Sequence, residues 1–275
     1  MTVANQRSST RRLAGKVAVV TGAGSGASGV GTGQAISTLF AREGAKVLLV
    51  DRDAARAAET LRAIEVEGGV ASVFAADVTK SADCKAMVDA AVARYGGLHI
   101  LVNNVGILGK GTVVTVDEDE WDRVMTVNLK SMVLTSKHAV PVMAAAGGGS
   151  VINISSIAAL RSIGVTGTIP YTVSKGGAMT LTTSMAVQHG RQGVRVNCIA
   201  PGFLYTPMVA GTMTPEGREA RRNASPLGTE GTAWDVAWAC VYLASDEARW
   251  VTGAVLPVDG GTLCTTALSV FHDMR

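Results

Sequence analysis

The chain has 275 residues, of which 47% are hydrophobic and 17% charged, a balance that excludes disordered and fibrous proteins. Three of the 25 Lys and Arg residues, Arg7, Arg11 and Arg12, account for the net charge of +3, because the other 22 equal the 22 Asp and Glu residues in number. A body without net charge gives no reason to expect a nucleic-acid or membrane-surface site. No run reaches the roughly 18 apolar residues of a membrane helix. Four widely spaced cysteines indicate free thiols in a reducing compartment, and we expect a cytoplasmic protein.

Apolar runs typical of buried strands alternate along the chain with amphipathic segments typical of helices. The predicted strands cover residues 16–22, 45–51, 70–78, 99–106, 148–156, 194–202 and 253–261. After a first helix that is under way by Ala35, the predicted helices cover about 53–67, 81–95, 118–146, 171–190 and 232–245. Strands joined by helical crossovers pair in parallel, so the pattern predicts one α/β domain with a doubly wound parallel sheet of about seven strands and helices on both faces.

The two ends of the chain lie outside this pattern. We expect residues 1–12 to form a flexible basic arm, residues 13–263 the domain, and residues 264–275 a tail beyond the last strand. The arm has no apolar stretch and so is not a secretory signal, although its Arg and Ser content would also suit a short transit peptide. The tail could reach a neighbouring subunit or simply fray.

A glycine-rich segment, TGAGSGASGVGTGQAIS, follows the first predicted strand at residues 21–37. Such a turn between a strand and a helix lets a dinucleotide pyrophosphate approach the backbone, as in Rossmann-like folds. Asp51 ends the second predicted strand, where a carboxylate accepts the hydroxyls of an adenosine ribose and repels a 2′-phosphate. Arg52 would weaken that repulsion. The sequence therefore predicts NAD as cofactor, with NADP possible.

Tyr171 and Lys175 are four residues apart on a predicted helix and therefore share one face. An ammonium near a phenol stabilises the phenolate, so we expect the Tyr171 pKa to be lowered from about 10 toward working pH. Tyr171 is then a candidate general acid or base. The four histidines are scattered, and no cluster suggests a metal site.

These features resemble, in order, the landmarks of the short-chain dehydrogenase/reductase family, and the resemblance covers about residues 13–263. Each landmark alone is weak, but each falls at a predicted strand end or helix start. They are Thr21-Gly22, Asp51, Asp77-Val78, Asn103-Asn104-Val105-Gly106, Asn128, Ser155-Ser156, Tyr171 through Lys175, and Pro201-Gly202 through Thr206.

The resemblance implies an oxidoreductase that interconverts a secondary alcohol and a ketone by hydride transfer. It gives Tyr171 the acid–base role, has Lys175 bind the nicotinamide ribose and Ser156 the substrate oxygen, and has Asn128 hold a proton-relaying water. It also implies a homotetramer. The other cofactor contacts that it implies are Asp77, Val78, Asn104, Gly106, Tyr171, Pro201, Gly202 and Thr206. The alternatives are an NADPH-dependent carbonyl or 3-oxoacyl reductase and a non-catalytic nucleotide-binding protein.

Two spacings depart from the family pattern. Aligning Gly31-Thr32-Gly33 with the family's second and third motif glycines leaves five extra residues after Gly22. On this alignment Gly22, Gly31 and Gly33 form the phosphate turn, and Gly24, Gly26 and Gly29 mostly serve an outward bulge. The rival alignment uses Gly26 as the motif glycine.

The second departure is the distance from Ser156 to Tyr171, which is 15 residues where the family usually has 13. We expect the longer loop to reshape the substrate pocket without moving the chemistry. The segment 203–228 is typical of a mobile lid. Its apolar side chains suggest a medium-sized, largely apolar small-molecule substrate, although they would equally suit packing of the lid on the body. The candidate substrate contacts are Leu108, Phe203 and Met208, with Ser156 and Tyr171.

Overall fold

A computed structural model describes residues 11–24, 29–162, 167–211 and 213–266. These residues contain a seven-stranded parallel sheet with the strand order β3-β2-β1-β4-β5-β6-β7. The strands are β1 (Val17–Thr21), β2 (Lys46–Asp51), β3 (Val70–Ala75), β4 (Ile100–Asn103), β5 (Gly149–Ile154), β6 (Val194–Pro201) and β7 (Val255–Val258). The chain moves outward from β1 to β3, then crosses to β4 and moves outward on the other side. This order confirms the predicted doubly wound fold, and its reversal of direction between β1 and β4 is where such sheets bind ligands.

Helices cover both faces of the sheet. They are α1 (Thr32–Arg42), α2 (Ala54–Val66), α3 (Ser81–Tyr95), α4 (Glu118–Met125), α5 (Ser131–Ala145), α6 (Ile169–His189), α7 (Pro207–Ala210), α8 (Pro215–Asn223) and α9 (Ala233–Ala244). The apolar sides of α1, α2 and α9 form one core layer with the sheet, and α3, α5 and α6 form the other. Because β1, β4 and β5 are covered on both faces, their sequences are mostly apolar, as expected for parallel strands. Within the described ranges, no helix is long and apolar enough to cross a bilayer.

The single helix predicted over 118–146 is divided in the structure. A π-helical stretch, Thr126–Lys130, separates α4 from α5, and the three segments follow one another without a break in the helix. A π stretch adds a residue to a helical turn and so rotates the side chains on either side of it relative to one another. Asn128 lies at its centre and is fully buried.

Candidate active site

The carboxyl ends of β1 and β4 are joined at the point where α1 begins. Gly33 lies directly against Gly22, because a Cβ atom on Gly33 would be 1.9 Å from the Gly22 carbonyl oxygen. The Asn104 amide nitrogen donates to the carbonyls of both Thr21 and Gly22, each at 3.1 Å. The Thr21 hydroxyl accepts from the Asn104 backbone N–H at 3.1 Å. Since Gly22 has φ +65°, both glycines are required by the backbone itself.

The N-terminus of α1 faces this edge. Gly31 occupies the position before the helix, and Thr32 is its first residue. As a glycine, Gly31 provides no capping side chain, and no acidic residue lies in the first turn. Free N–H groups at a helix N-terminus favour an anion, so this end of α1 is suited to a phosphate group.

Gly24 differs from the expectation that it belongs to an outward bulge. Its backbone N–H donates to Asp51 Oδ2 at 3.0 Å, and a Cβ on Gly24 would lie 2.6 Å from the Arg56 Cβ. It is therefore packed between β2 and α2. Gly29 has φ +99° and open space around it, as a bulge would have. Gly26 lies outside the described residues.

Asp77 follows β3 and carries a depressed pKa. Its Oδ1 accepts from the backbone N–H of Thr79 at 3.0 Å and from the Thr79 hydroxyl at 2.7 Å. The hydroxyl bond is the main cause of the lowered pKa, and the positive charge of Arg52 contributes. Val78 is buried beside it, whereas the Arg52 side chain is exposed. The structure thus brings the predicted adenine-side residues to one edge of the sheet.

The predicted carboxamide-side residues follow β6. Pro201 ends the strand, and Gly202 crosses so close to the last strand that a Cβ on it would lie 2.5 Å from the Asp259 Cα. Thr206 occupies the position before α7, and its side chain makes no capping bond there. Its hydroxyl is thus not committed to the helix.

Lys175 is buried at the centre of the site. Its Nζ donates to the carbonyl of Ile154 at 2.8 Å, and a Cβ on Gly106 would lie 3.1 Å from that nitrogen. Burial lowers the Lys175 pKa to about 8, while the neighbouring Cys198 has a small opposing effect. The Ser155 hydroxyl donates to the Lys175 carbonyl at 2.7 Å and so fixes α6 against the end of β5.

The Ser156 hydroxyl lies beside the Tyr171 phenol, close enough to lower its pKa. Ser156 Oγ also accepts from the backbone N–H of Ala158 at 3.1 Å, which holds the hydroxyl in place. The expectation of a lowered Tyr171 pKa is wrong for this state of the protein. Burial raises the pKa, and the Ser156 hydroxyl only partly opposes this rise. Lys175 Nζ stands 5.8 Å from the Tyr171 ring centroid and is bonded elsewhere, so its charge does not compensate for burial.

Asn128 joins the π-helical stretch to the loop that follows β4. Its Oδ1 accepts from Ile107 N at 2.8 Å, and its Nδ2 donates to Ile107 O at 2.9 Å. The same nitrogen donates to Ser174 Oγ at 3.0 Å, and Ser174 Oγ in turn donates to the Tyr171 carbonyl at 2.7 Å. Asn128 thereby connects this loop to the helix that carries Tyr171.

The loop from Ser156 to Tyr171 is two residues longer than is usual in the family, and Ser156 still lies beside the Tyr171 phenol. The end of their loop is tied to the loop after β4, because Gly111 N donates to the Gly167 carbonyl at 2.9 Å. A Cβ on Gly167 would lie 2.2 Å from the Gly111 carbonyl carbon, so the two loops touch backbone to backbone. The additional length is therefore taken up between Ala158 and Gly167, where residues 163–166 are outside the described part.

Arginines of α8 hold the segment that follows β6. The Arg221 guanidinium lies 5.1 Å from the Phe203 ring, and the Arg218 guanidinium lies 3.6 Å from the Tyr205 ring. Arg218 also pairs with the buried carboxylate of Glu230 at 2.6 Å. These contacts favour a packing role for Phe203, whose ring is covered by Arg221 from α8 of the same segment. By contrast, Leu108 and Met208 are 48% and 52% exposed, as side chains at a pocket entrance would be.

A buried polar network beneath the site was not found by sequence reasoning. Asn103 donates to Asn153 Oδ1 at 2.9 Å and accepts from the Thr135 hydroxyl at 2.6 Å, and Asn153 donates to the Thr182 hydroxyl at 2.9 Å. The network ties β4 and β5 to α5 and α6. The only signal in the sequence was two asparagines inside apolar strands, where a polar side chain must find a partner.

Comparisons with known proteins agree with this geometry. A family model described as enoyl-(acyl carrier protein) reductase matches residues 26–262. The 2-(S)-hydroxypropyl-CoM dehydrogenase 3 of Xanthobacter autotrophicus is 39% identical over 257 residues, which are 92% of this chain and 98% of the relative. The 3-oxoacyl-(acyl-carrier-protein) reductase of Thermotoga maritima is 36% identical over 250 residues, 91% of this chain and 98% of the relative. A solved structure of 7α-hydroxysteroid dehydrogenase with NADH and 7-oxo glycochenodeoxycholic acid is 33% identical, has a TM-score of 0.86, and aligns over 93% of this chain and 97% of that one.

The contact between Gly33 and Gly22 can be tested by adding one methyl group. We predict that Gly33→Ala lowers the free energy of unfolding by at least about 2 kcal/mol, because the Cβ must displace backbone rather than a mobile side chain. Gly176→Ala is the matched control, since Gly176 lies inside α6 with open space around its Cβ position. That change should be neutral or stabilising by roughly 0.5–1 kcal/mol. Urea unfolding measures both, and equal stability of Gly33→Ala and wild type would contradict the assignment.

Proposed function

This chain belongs to the short-chain dehydrogenase/reductase family and is an oxidoreductase, and from that premise we propose that it uses NAD to interconvert a secondary alcohol and a ketone. The observation that carries the proposal is the buried Lys175 with its Nζ 5.8 Å from the Tyr171 ring centroid, next to the buried Ser156. We further propose that the substrate is of medium size and largely apolar. The partly exposed Leu108 and Met208 support this choice.

The residues at the carboxyl edge of the sheet fit a nicotinamide dinucleotide. Gly22 and Gly33 leave the backbone bare where a side chain would fill the space, and the uncapped N-terminus of α1 is suited to the pyrophosphate. We assign Asp51 to the adenosine ribose and Lys175 to the nicotinamide ribose. The remaining proposed contacts are Gly31, Thr32, Arg52, Asp77, Val78, Asn104, Gly106, Pro201, Gly202 and Thr206. When bound, the nicotinamide supplies the hydride that is exchanged with the substrate carbon.

The protein's own part in the reaction is to hold the substrate oxygen and move one proton. Ser156 Oγ is fixed by Ala158 N, and its hydroxyl, beside the Tyr171 phenol, is the proposed partner of the substrate oxygen. Because burial raises the Tyr171 pKa, its phenol is protonated near neutral pH and can donate to the oxygen of a ketone. In the direction of oxidation the same phenol must first lose its proton. Lys175, with its Nζ 5.8 Å from the Tyr171 ring centroid, is proposed to favour the phenolate while it carries its positive charge, and Asn128 is the proposed link to solvent.

An NADPH-dependent 3-oxoacyl reductase is the second candidate. The named activity of the Thermotoga maritima relative favours it, since a 3-oxoacyl group is also a ketone. Asp51 argues against it, because a carboxylate at the ribose repels a 2′-phosphate. Selectivity between NADH and NADPH separates the two candidates.

The acid–base role of Tyr171 predicts a large kinetic effect from a small change. Tyr171→Phe keeps the ring and removes only the hydroxyl, so kcat/KM on any substrate that wild type turns over should fall at least about 100-fold. The Kd for NADH should stay within about twofold, because the ring of Tyr171 and all the other proposed cofactor contacts are kept. The pH dependence gives a second check. With a raised pKa, phenolate is scarce at neutral pH, so wild-type oxidation should rise with pH up to at least 9 while reduction does not. A variant as active as wild type, or oxidation that is flat with pH, would contradict the role.

We also propose that the chain forms a homotetramer through α5, α6 and the last strand. Two exposed apolar side chains support this, since Val187 on α6 is 84% exposed and Trp250, between α9 and β7, is 91% exposed. Sedimentation of the purified protein should give four times the chain mass of 28.2 kDa. A monomer at micromolar concentration would refute the proposal.

A further inference from the structure

One peptide unit at the end of β1 is hydrogen-bonded at both of its ends. The carbonyl of Ala23 accepts from the Thr60 hydroxyl at 2.7 Å. The N–H of Gly24, which belongs to the same peptide, donates to Asp51 Oδ2 at 3.0 Å. Because a peptide is planar and its C=O and N–H point in opposite directions, the bond to Thr60 determines where the N–H points.

Thr60 lies in α2, which brings its hydroxyl to the Ala23 carbonyl. Its side chain is fully buried on the face of α2 that packs on the sheet. The peptide has little freedom to move sideways, since a Cβ on Gly24 would lie 2.6 Å from the Arg56 Cβ. The N–H of Ala23 is also bonded, to the Val50 carbonyl at 3.1 Å. The Thr60 hydroxyl donates the bond that holds the carbonyl end of the Ala23–Gly24 peptide, and losing it leaves the Gly24 N–H as the hydrogen bond that opposes rotation.

The Asp51 carboxylate is held between two turns. Oδ2 accepts from Gly24 N, and Oδ1 accepts from Asp53 N at 3.0 Å. An ionised carboxylate has about four acceptor positions, and the bonds from described residues occupy two of them, which leaves two for a ligand. Two acceptors in a fixed plane match the two hydroxyls of a ribose, and a carboxylate that is already immobile loses no rotamer entropy when it binds them.

We propose that Thr60 is a positioning residue for cofactor selectivity, acting on Asp51 through the Ala23–Gly24 peptide. This inference rests on the proposed use of NAD. Without the hydroxyl, the peptide can turn and present its carbonyl to the carboxylate, which repels it. Asp51 then loses one of its two anchors, and the preference for a free 2′-hydroxyl over a 2′-phosphate weakens.

The same contact explains how the chain accommodates its longer glycine turn. Gly24 is fixed to Asp51, and Gly31 is fixed at the start of α1. The five extra residues are therefore confined to the six positions between these two glycines.

The test is a fluorescence titration of purified variants with NADH and, separately, NADPH. Thr60→Val keeps the size of the side chain and removes the hydroxyl, so the Kd for NADH should rise about tenfold while that for NADPH changes less than about threefold. Thr60→Ser restores the hydroxyl and should return both constants to within about threefold of wild type. Thr60→Ala carries the same expectation as valine and replaces it if that variant does not fold.

Ser150→Ala is the matched control for a lost buried bond. Ser150 Oγ is buried and donates to the Leu243 carbonyl at 2.9 Å, near the opposite end of the sheet. This variant should lose stability without changing the ratio of the two dissociation constants. If Thr60→Val changed the ratio no more than Ser150→Ala does, the positioning role would be overturned.

Asp51→Ala separates this inference from the function on which it rests. A ratio that shifts in Asp51→Ala and also in Thr60→Val supports both assignments. A shift in Asp51→Ala with none in Thr60→Val overturns only the role of Thr60. If Asp51→Ala leaves the ratio unchanged, Asp51 is not the selecting carboxylate, and both assignments fail.

Discussion

The backbone of α1 rests directly on the carbonyl of Gly22, and the arrangement of the site depends on this contact. No side chain fits between Gly33 and Gly22, so the helix begins closer to the sheet than any other residue type would allow. Asn104 bonds the same carbonyl from the loop after β4. The contact thus fixes the uncapped end of α1 at the point where the strand order reverses. A phosphate-sized anion placed there lies next to both halves of the sheet.

Lys175 supplies the second constraint, and it is an electrostatic one. An ammonium in a buried setting is costly, and the depressed pKa of about 8 measures that cost. The carbonyl of Ile154 satisfies one of its three N–H groups. A ligand that brings hydroxyl groups to this nitrogen would therefore offset part of the desolvation cost of the buried ammonium. Burial also disfavours the charged form of Tyr171, and for a phenol this raises the pKa. Burial thus keeps the Tyr171 phenol neutral and makes the Lys175 ammonium easier to deprotonate than a free lysine.

Much of the fold follows from local patterns in the sequence. All seven strands were predictable because parallel strands buried on both faces are continuous apolar runs bounded by turns. The π-helical stretch Thr126–Lys130 was not, since apolar periodicity does not distinguish a five-residue change of pitch inside a long helix. The short helices α7 and α8 were also missed. Each begins with a proline. However, α8 is held by its own arginines, which lie over the rings of Phe203 and Tyr205, and such contacts exist only in the folded chain.

The candidate site was likewise predictable only where its residues are neighbours in the sequence. Residues on one helix, such as Tyr171 and Lys175, were predictable as neighbours, but the direction of the Tyr171 pKa was wrong because burial is not visible in a spacing. Gly24 was assigned to a bulge because its contacts, Asp51 and Arg56, come from the following strand and helix. The partnership of Asn128 with Ile107 and Ser174 likewise joins three separate segments.

The claim that this edge of the sheet is a working dinucleotide site selective for NAD is tested most directly by binding. Wild-type protein titrated with NADH and with NADPH should bind NADH at least about tenfold more tightly, a difference of ~1.4 kcal/mol. That result would also show that five extra residues in the glycine turn leave the phosphate site intact. Tighter binding of NADPH would contradict the assignment of Asp51, and failure to bind either dinucleotide would contradict the account of the site as a whole.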